Sequence, residues 1–513
     1  MEPGVGTERL RAPAEWLAGQ SRLRCTRWVM LRAGLRVLPL LSALALLGCG
    51  DSVPSMMGET SSSGDGDGDG DGDATGDGDG EMSQPLRPNW HEDIAPLVYE
   101  NCVGCHFDGG IVPFSLETYE SAAAWGTISN EAIHARVMPP WGAEETDECQ
   151  PPAPYKNDAR LTDEERQLFD DWVNNNTPEG DPANAAALPE PPSLDLEGVS
   201  VERQNPTPFT VTGTEDSFPC MVVDPGHTED VWVTGIQMIP DNDQVVHHVL
   251  TYIDPTGASD AVVDEDGKFD CPGGFANLDG VIQMSTWTPG NVPTELPPNS
   301  GFPMPVGSKV IMAYHYHPTG QGDEVDQSSI ALRWTNEKPE LNAYVGVSGA
   351  IFDTPSTLLP GPNDPGDEPL FEIPPNVPDH VETVRIEMDE GIPPIAIFSE
   401  GAHMHYVGVD MKIWIERGDE EICLLHVPAY DFGWQRNYDF DVPVDEMPTV
   451  QGGDVVYYRC TYDNTLGNPA LAKLLDEQGL SEPVTIGVGE QSLEEMCANL
   501  FGLVSPLPLD QLF

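Results

Sequence analysis

The sequence contains little positive charge. It has 23 Lys and Arg against 86 Asp and Glu, a formal net charge of -63 over 513 residues. Such a surface repels nucleic acid and anionic lipid head groups. The composition therefore predicts no nucleic-acid partner. The chain is also too long for one hydrophobic core, so three or four domains are expected.

The N-terminal part lacks an apolar run long enough to cross a bilayer, which needs about 20 residues. The apolar segment 37–47 is shorter, follows Arg36 and ends at Gly48-Cys49. It resembles a bacterial lipoprotein signal with its lipobox. The resemblance implies export, cleavage before Cys49 and lipidation of the Cys49 thiol. The protein would then be anchored to a bacterial membrane, facing the periplasm or the cell surface. An ordinary signal peptide is the alternative.

Residues 1–48 are accordingly assigned to a signal peptide, and Met30-Leu31-Arg32 would begin a signal of ordinary shape. This pattern favours a translation start at Met30. Residues 49–85 are rich in Ser and in alternating Gly and Asp. They have nothing apolar to bury and are predicted to form a disordered tether. Calcium repeats carry interspersed apolar residues that this stretch lacks, so calcium binding is the weaker alternative.

Residues 86–180 have the pattern of a small all-α domain. Thr162 and Glu165 form a potential capping box, which predicts a helix within Leu161–Asn174. Residues 181–197 are rich in Pro, Ala and Asn, and this composition predicts a linker.

Helical patterns are nearly absent from the linker to Pro469. Short alternating runs such as Val231–Met238 are separated by Pro, Gly and Asn instead. This texture is typical of antiparallel β-sandwiches. The sequence therefore predicts two sandwich domains of the jelly-roll kind, at 198–345 and 346–505, and a tail at 506–513.

The helical region contains the run Cys102-Val103-Gly104-Cys105-His106, which has the Cys-x-x-Cys-His signature of c-type haem attachment. The two thiols can add to the haem vinyl groups, and His106 then supplies an imidazole to the iron. A thioredoxin-like thiol pair is the alternative, but that fold places a strand before the motif, whereas residues 94–101 predict a helix. The motif predicts one covalently bound c-type haem.

Met138 is the predicted sixth ligand of the haem iron. It begins the run Met138-Pro139-Pro140-Trp141, in which the two prolines stiffen the loop. Thioether ligation raises the reduction potential of the iron. His134 is the alternative ligand. The region as a whole resembles small single-haem cytochromes c.

The later histidines are clustered, in a sequence that has no four-cysteine zinc pattern. They occur in His247-His248, His315-Tyr316-His317 and His403-Met404-His405. Clustered imidazoles in an exported protein suit copper or zinc. Residues two apart on a strand share a face, so His403 and His405 can share an ion. The adjacent pair His247-His248 can do so only through a backbone irregularity or different ring nitrogens.

The order of these motifs, followed by Glu-Met-Cys at 495–497, resembles the copper type II ascorbate-dependent monooxygenases, the family of dopamine β-monooxygenase and peptidylglycine α-hydroxylating monooxygenase. The resemblance covers roughly residues 205 to 503 and includes Met284–Gly290 and Tyr430–Gln435. It implies two copper ions.

The resemblance implies a different ligand set for each copper. The electron-supplying copper would be held by His247, His248 and His315. The catalytic copper, which binds dioxygen and substrate, would be held by His403, His405 and Met496. A soft thioether favours Cu(I), the state that must meet dioxygen. His317 shares a strand face with His315 and is the alternative ligand.

The resemblance also implies two disulfides, Cys220–Cys271 and Cys460–Cys497, and leaves the pairing of Cys149 and Cys423 open. Two departures from the family count against peptide amidation. Gly401 replaces the Arg that the amidating branch carries two positions before its His-x-His, and Leu500 replaces a Tyr four positions after the ligating Met.

These inferences predict a monooxygenase that hydroxylates a C–H bond of an organic substrate with dioxygen. The tethered haem is expected to reduce the copper of His247, His248 and His315, and to receive its own electrons from a periplasmic or extracellular donor. A copper-binding electron-transfer or copper-handling lipoprotein without oxygenase activity is the alternative.

Overall fold

The computed structural model describes residues 87–508, except 109–111, 113, 192–194, 214, 290, 321, 352–356 and 367. The predicted signal peptide, the Met30 start, the Cys49 lipidation site and the Gly/Asp tether lie outside the described residues. Within the described part of the chain, no helix has both the length and the apolar character needed to span a membrane.

The first described region is helical. Its helices are α1 (Ala95–Asn101), α2 (Tyr119–His134) and α3 (Asp163–Asn174). Helix α3 begins directly after Thr162, whose side chain accepts a hydrogen bond from the Glu165 amide while the Glu165 carboxylate accepts from the Thr162 amide. This is the predicted capping box, and it satisfies two backbone donors that have no partner within the helix. Phe169 and Trp172 of α3 are buried in the core of the region.

The rest of the described chain is mostly β-sheet, with one further helix, α4 (Pro469–Glu477). The first twelve strands are β1 (Val201–Gln204), β2 (Phe209–Val211), β3 (Pro219–Val223), β4 (Val231–Ile239), β5 (Val246–Asp254), β6 (Lys268–Asp270), β7 (Ile282–Trp287), β8 (Thr294–Glu295), β9 (Ser300–Met304), β10 (Lys309–Tyr316), β11 (Glu324–Asp326) and β12 (Ser329–Thr335). The others are β13 (Leu341–Ala350), β14 (Glu372–Ile373), β15 (Val377–Glu387), β16 (Ile395–His403), β17 (Gly408–Arg417), β18 (Glu420–Val427), β19 (Asn437–Asp439), β20 (Thr449–Val450), β21 (Val455–Asn464), β22 (Ile486–Gly487) and β23 (Cys497–Ser505).

These strands form two layered halves, as expected for β-sandwiches. In the first half the sheet β6-β3-β10-β5-β7 shares a core with the β1-β12-β4-β9 part of a ten-stranded sheet, with Val249 and Val233 among the buried side chains. In the second half the sheet β15-β21-β17-β18 shares a core with the β13-β23-β16-β19 part of that same large sheet, with Ile413 and Leu503 buried. Alternation of apolar and polar side chains gives each sheet one face to bury.

The two halves are joined through the large sheet. Strand β13 pairs along its whole length with β23 and makes a short parallel contact with β9 through Leu341 and Asn342. Strand β13 therefore runs across residue 345, where the sequence predicts the division between the two sandwiches. The large sheet contains β16, which carries His403, and also strands β4 and β9, which share a core with the separate sheet of β5, which carries His247.

Part of the helical region is built into the second sandwich. Trp141 and Tyr155 are buried in the core of that sandwich, and the Tyr155 hydroxyl donates to the carbonyl of Leu424 over 2.5 Å. A disulfide joins Cys149 to Cys423, the two cysteines whose pairing the sequence leaves open. Residues 141–155 thus serve as the attachment of the helical region to the sandwich.

Candidate metal centre

A β-bulge allows the adjacent histidines His247 and His248 to face the same point. Strands β5 and β10 are antiparallel, with His315 opposite His248 and Tyr316 opposite Val246, so the register skips His247. The skipped residue of a bulge is free of the strict alternation of the strand. Of the two alternatives that the sequence leaves open for the pair to share an ion, the structure contains the backbone irregularity.

The three imidazoles of His247, His248 and His315 converge on a space the size of one metal ion. Their ligand atoms all lie within 4.8 Å of one another. The Nδ1 atom of His248 lies 3.1 Å from Nδ1 of His247 and 3.4 Å from Nδ1 of His315. Three nitrogens bound to a metal at about 2.0 Å in near-tetrahedral geometry are separated by about 3.3 Å. Burial holds the pKa of both His247 and His248 well below 6.5, so both rings are neutral and able to bind a metal. We name these three residues the three-histidine cluster.

Asp216 separates the roles of His315 and His317. Its carboxylate is buried and accepts a 2.7 Å hydrogen bond from Nδ1 of His317. Its other oxygen lies 3.1 Å from Nε2 of His315, outside hydrogen-bond geometry. Burial opposes ionisation of Asp216, but its contacts with His315 and His317 outweigh burial and lower the pKa of Asp216. The structure brings His315 into the three-histidine cluster, whereas the Nδ1 atom of His317 is engaged by Asp216.

The second set, His403, His405 and Met496, is assembled by β16 and β23. His403 is the last residue of β16 and pairs with Ala498, and Met496 directly precedes β23. The rings of His403 and His405 lie 5.4 Å apart between centroids. His403, His405 and Met496 line one cavity of about 40 Å³. We name them the His-Met cluster.

Hydrogen bonds fix which ring nitrogens of the His-Met cluster point into the cavity. Nδ1 of His403 donates to Oε1 of Gln435 over 2.6 Å, and Nδ1 of His405 donates to the carbonyl of Glu494 over 2.8 Å. Each ring therefore keeps Nε2 as its free ligand atom. Burial lowers the pKa of His403, and it lowers the pKa of His405 to about 3. The donor set of two neutral imidazoles and one thioether fits copper.

Glu495 ties the His-Met cluster together. Its buried carboxylate accepts backbone hydrogen bonds from His405 over 2.7 Å, from Val407 over 3.0 Å and from Met496 over 3.1 Å. Burial raises the pKa of Glu495 to about 8, against the opposing effect of these hydrogen bonds. Glu495 of the Glu-Met-Cys motif thus holds the backbone of His405 close to that of Met496, which carries the thioether.

The two clusters face each other across the same cavity. The rings of His248 and His403 lie 6.2 Å apart, and the cavity is lined from both sides, since His248 and His315 border it together with the His-Met cluster. Phe432 lies beside both clusters, with its ring stacked 4.6 Å from the ring of His247 and 5.8 Å from that of His405. A cavity of this volume holds a few waters or a dioxygen-sized ligand, because one water needs about 10–15 Å³.

Asp216, Gln435 and Phe432 are not among the residues assigned a role from the sequence. Gln435 and Phe432 belong to the segment Tyr430–Gln435, which contributes to the family resemblance without an assigned role. That segment is the signal that could have found these two residues. Asp216 lies outside every motif and has no such signal.

The surroundings of Gly401 are crowded. A Cβ atom there would lie 2.6 Å from Oδ1 of Asn437 and 3.1 Å from Cβ of Leu500. Contacts shorter than about 3.0 Å between Cβ and a neighbouring atom force that neighbour to move. An Arg at this position, as in the amidating branch, would need the Asn437 side chain to move.

The haem-binding residues predicted from the sequence follow α1. Cys102 and Cys105 are unpaired thiols, and burial raises the pKa of Cys102 to about 12. Reactive redox cysteines have lowered pKa values, so this environment does not suit a thioredoxin-like pair. Nδ1 of His106 donates to the carbonyl of Phe114 over 3.2 Å, which leaves Nε2 as a ligand atom. The two thiols and this imidazole fit covalent haem attachment.

Met138 borders a separate cavity of about 410 Å³, together with Ile133, Trp141 and Leu161. Charged side chains, among them Glu144 and Arg160, also line this cavity, and Cys102, Cys105 and His106 do not. His134, the alternative ligand, is at the surface with its side chain 56% exposed, and its Nε2 atom lies 3.1 Å from Asp170. The structure therefore places Met138, rather than His134, at this cavity.

The other histidines have local partners. His91 lies 3.6 Å from Glu179, His227 bonds the carbonyl of Pro305 and His426 contacts Thr146 and Asp410. His380, to which the sequence assigns no role, forms a buried 2.6 Å contact with Glu382. None of these four lies in the two clusters.

The disulfides brace the sheets beside the clusters. Cys220–Cys271 and Cys460–Cys497 form the pairs that the resemblance implies. Cys497 immediately follows Met496, so the second disulfide anchors the start of β23 to β21. Disulfides of this kind suit an exported protein.

Comparison with known proteins supports the copper monooxygenase family. Residues 372–502 match the family model of the copper type II ascorbate-dependent monooxygenase C-terminal domain. This range includes His403, His405 and Met496. The chain is 25% identical over 243 residues to the DBH-like monooxygenase protein 1 of Gallus gallus, which is 44% of this chain and 36% of the relative. The chain therefore spans only about a third of the length of that relative.

A solved structure, the major capsid protein P2 from bacteriophage PM2, is similar over 59% of this chain and 99% of that chain. Its sequence identity is 7% and the TM-score is 0.25, too low to indicate a shared fold. The family matches, in contrast, support a copper-dependent oxidoreductase of the monooxygenase kind.

Proposed function

We propose that this protein is a copper-dependent monooxygenase that hydroxylates a C–H bond of an organic substrate with dioxygen, and that its tethered c-type haem supplies the electrons. The observation that carries the proposal is the pair of clusters with different donor sets on one cavity, with His248 and His403 6.2 Å apart. The match of residues 372–502 to a copper monooxygenase domain supports it.

The different donor sets support a division of roles between the clusters. Three imidazoles tolerate both copper oxidation states, and a thioether favours Cu(I). Copper held in these sets would supply one-electron transfer at the three-histidine cluster and oxygen activation at the His-Met cluster. The protein residues orient the ligands: Gln435 and the Glu494 carbonyl hold Nε2 of His403 and His405 toward the cavity. Asp216 lies behind His315.

The lining of the cavity suits a reaction with dioxygen that is shielded from bulk water. Apolar side chains line part of it, including Val347, Leu500 and Phe275. Such walls limit the water that reaches the reacting atoms. Gly401 counts against peptide amidation, because the arginine that holds the substrate carboxylate in the amidating branch is absent at this position.

The helical region and the N-terminal signal complete the proposal. We propose that Cys102 and Cys105 would attach one haem covalently and that His106 and Met138 would bind its iron. A diacylated Cys49 would anchor the mature protein to a bacterial membrane, where a periplasmic or extracellular donor would reduce the haem. Covalent tethering raises the effective concentration of this electron donor at the copper sites.

Metal content and oxygen incorporation test the proposal. The mature chain is expected to contain one iron and two coppers by elemental analysis, with the absorption spectrum of a c-type haem. With ascorbate as reductant, a library of small organic compounds and ¹⁸O₂, one product is expected to gain a single ¹⁸O atom, and His403→Ala should abolish this gain. A chain that binds both coppers but yields no labelled product would support the copper-handling alternative instead.

A further inference from the structure

We propose that residues 430–438, which we name the bridging segment, are the electron route from the haem region to the copper clusters, and that the route reaches His403 first. This inference rests on the proposed function. It changes the expected entry point, because the sequence led us to expect the three-histidine cluster to receive electrons from the haem. It assigns positioning roles to Arg436 and Gln435.

The haem end of the bridging segment contacts the loop of the predicted iron ligand. Nη1 of Arg436 donates to the carbonyl of Pro140 over 2.9 Å, two residues after Met138. The Arg436 guanidinium lies over the ring of Trp141 at 5.0 Å. The amide of Gly142 donates to the Tyr438 hydroxyl over 3.1 Å. Three contacts therefore join the loop after Met138 to two residues of the bridging segment.

The copper end of the bridging segment begins one residue earlier. Gln435 is 3% exposed, and its Oε1 atom accepts the 2.6 Å hydrogen bond from Nδ1 of His403. Its carbonyl also accepts a hydrogen bond from Thr288 over 2.5 Å, which fixes its backbone. The side chains of neighbouring residues, Arg436 and Gln435, thus point in opposite directions, one to each redox region.

These contacts make one continuous path with only two hydrogen bonds. From the haem side it passes through Met138, Pro139, Pro140, Arg436, Gln435 and His403. Every other link in the path is covalent. Each electron that follows it oxidises one haem iron from Fe(II) to Fe(III) and reduces one copper from Cu(II) to Cu(I), with no atom or proton exchanged.

Burial of the Arg436 guanidinium is energetically costly, and this cost suggests that the residue has a specific role. Its Nε atom is buried and has no hydrogen-bond partner among the described residues. Burial lowers the pKa of Arg436, which shows that the surroundings disfavour its charge. An apolar side chain could pack against Trp141 without this penalty. The specific feature that Arg436 adds is its hydrogen bond to Pro140.

The bridging segment also touches the three-histidine cluster. Phe432 stacks on His247 and lies beside His405. The two clusters are themselves close, with His248 and His403 6.2 Å apart. Electrons that reach His403 therefore have short contacts to the three-histidine cluster.

Intramolecular electron transfer in the full-length, copper-loaded protein tests the route. Photochemical reduction of the haem by less than one electron per chain is followed by the decay of the ferrous-haem absorption band. Arg436→Met should slow this decay on the order of tenfold, equivalent to about 1.4 kcal/mol if expressed as a barrier. Gln435→Leu should slow it similarly, and Arg436→Lys, which can still donate to Pro140, should restore part of the rate.

Arg459→Met is the matched control. Arg459 donates to Glu148 over 2.8 Å, so it also joins residues 141–155 to the second sandwich, but it lies off the path. This variant should keep the wild-type decay rate. Haem spectrum, copper content and copper electron paramagnetic resonance are recorded for every variant, and Gln435→Leu carries the test if Arg436→Met does not fold.

The outcomes separate the route from the proposed function. Equal decay rates in wild type, Arg436→Met and Gln435→Leu, with unchanged metal content, would overturn the route while the haem remains the donor. Equal slowing by Arg459→Met would also overturn it, since general loosening of the attachment would then explain the effect. No decay in the copper-loaded wild type, or no bound haem, would remove the haem as electron donor together with the route, whereas ¹⁸O incorporation with ascorbate tests the copper-dependent hydroxylation separately.

Discussion

At the scale of single residues, His315 and His317 lie on either side of Tyr316 but contact different groups. His315 faces His247 and His248, and His317 bonds Asp216. We predict that His315→Ala lowers the copper content from two per chain to one, because the remaining pair cannot complete the site. His317→Ala should retain two. Elemental analysis after dialysis against a weak chelator measures both.

Asp216→Asn extends this comparison to the residue behind the ligand. Loss of a partner behind a metal ligand typically weakens metal affinity about 10–100-fold. The variant should therefore lose copper from the three-histidine cluster at chelator concentrations at which His317→Ala keeps both coppers.

The comparison of the two histidine variants has its own contradicting outcome. Retention of two coppers in His315→Ala, with loss of copper in His317→Ala, would reverse the ligand assignment.

Glu400 gives a pH-dependent prediction. It is 2% exposed, its Oε2 atom has no hydrogen-bond partner among the described residues, and burial raises its pKa to about 8. In the unfolded chain its pKa is near 4.5. Between these values the folded state holds a proton that the unfolded state has lost, so this contribution to stability is complete below pH 4.5 and falls as the pH rises to about 8.

Glu400→Gln removes this titration while it preserves the side-chain shape. Relative to wild type, the variant should gain up to about 1.4 kcal/mol in unfolding free energy per pH unit across the window. Denaturant unfolding at pH 5, 7 and 8.5 measures the difference. A constant difference between the two proteins at all three pH values would contradict a protonated Glu400.

The histidine pairs could be singled out as candidate ligands because their spacing is local, whereas His315 and Met496 were assigned by the family resemblance. His403 and His405 are two apart, and His247 and His248 are adjacent. Their supporting residues could not be found in this way. Gln435 is 32 positions from His403, and Asp216 is 101 positions from His317, so only the folded chain brings each pair together.

At the scale of elements, capping and alternation in the sequence predicted where a helix begins and where strands lie. They did not predict which distant strands pair. The capping box placed α3 within one or two residues, because the Thr162–Glu165 contact is local. The need for an irregularity at His247-His248 was also predictable. Its location as a bulge against β10 was not, since it depends on register with a strand more than sixty residues away.

The large sheet shows the same limit. Alternation indicated strands and two sandwiches, but the contact of β13 with both β9 and β23 depends on long-range hydrogen bonds. Composition could not show that β13 crosses the division at 345. This sharing matters for the site, because the sheet that contains β16 also packs against the sheet that contains β5.

At the scale of the whole molecule, the attachment of the helical region to the second sandwich is the feature with the largest consequence for function. The sequence assigns its segment 141–155 to the helical domain, yet Trp141 and Tyr155 are buried in the sandwich core. The Cys149–Cys423 disulfide closes a sequence separation of 274 residues. A freely moving tethered domain would need none of these contacts.

We therefore predict that the double variant Cys149→Ser/Cys423→Ser loosens this attachment. A disulfide typically stabilises by about 2–4 kcal/mol, mainly by restricting the unfolded chain. Without it, the helical region should unfold in a separate transition at lower temperature by differential scanning calorimetry. The control Cys220→Ser/Cys271→Ser breaks a disulfide within the first sandwich, with a separation of 51 residues, and should not separate the helical region. An unchanged thermogram for Cys149→Ser/Cys423→Ser would show that the buried aromatic contacts hold the attachment without the disulfide.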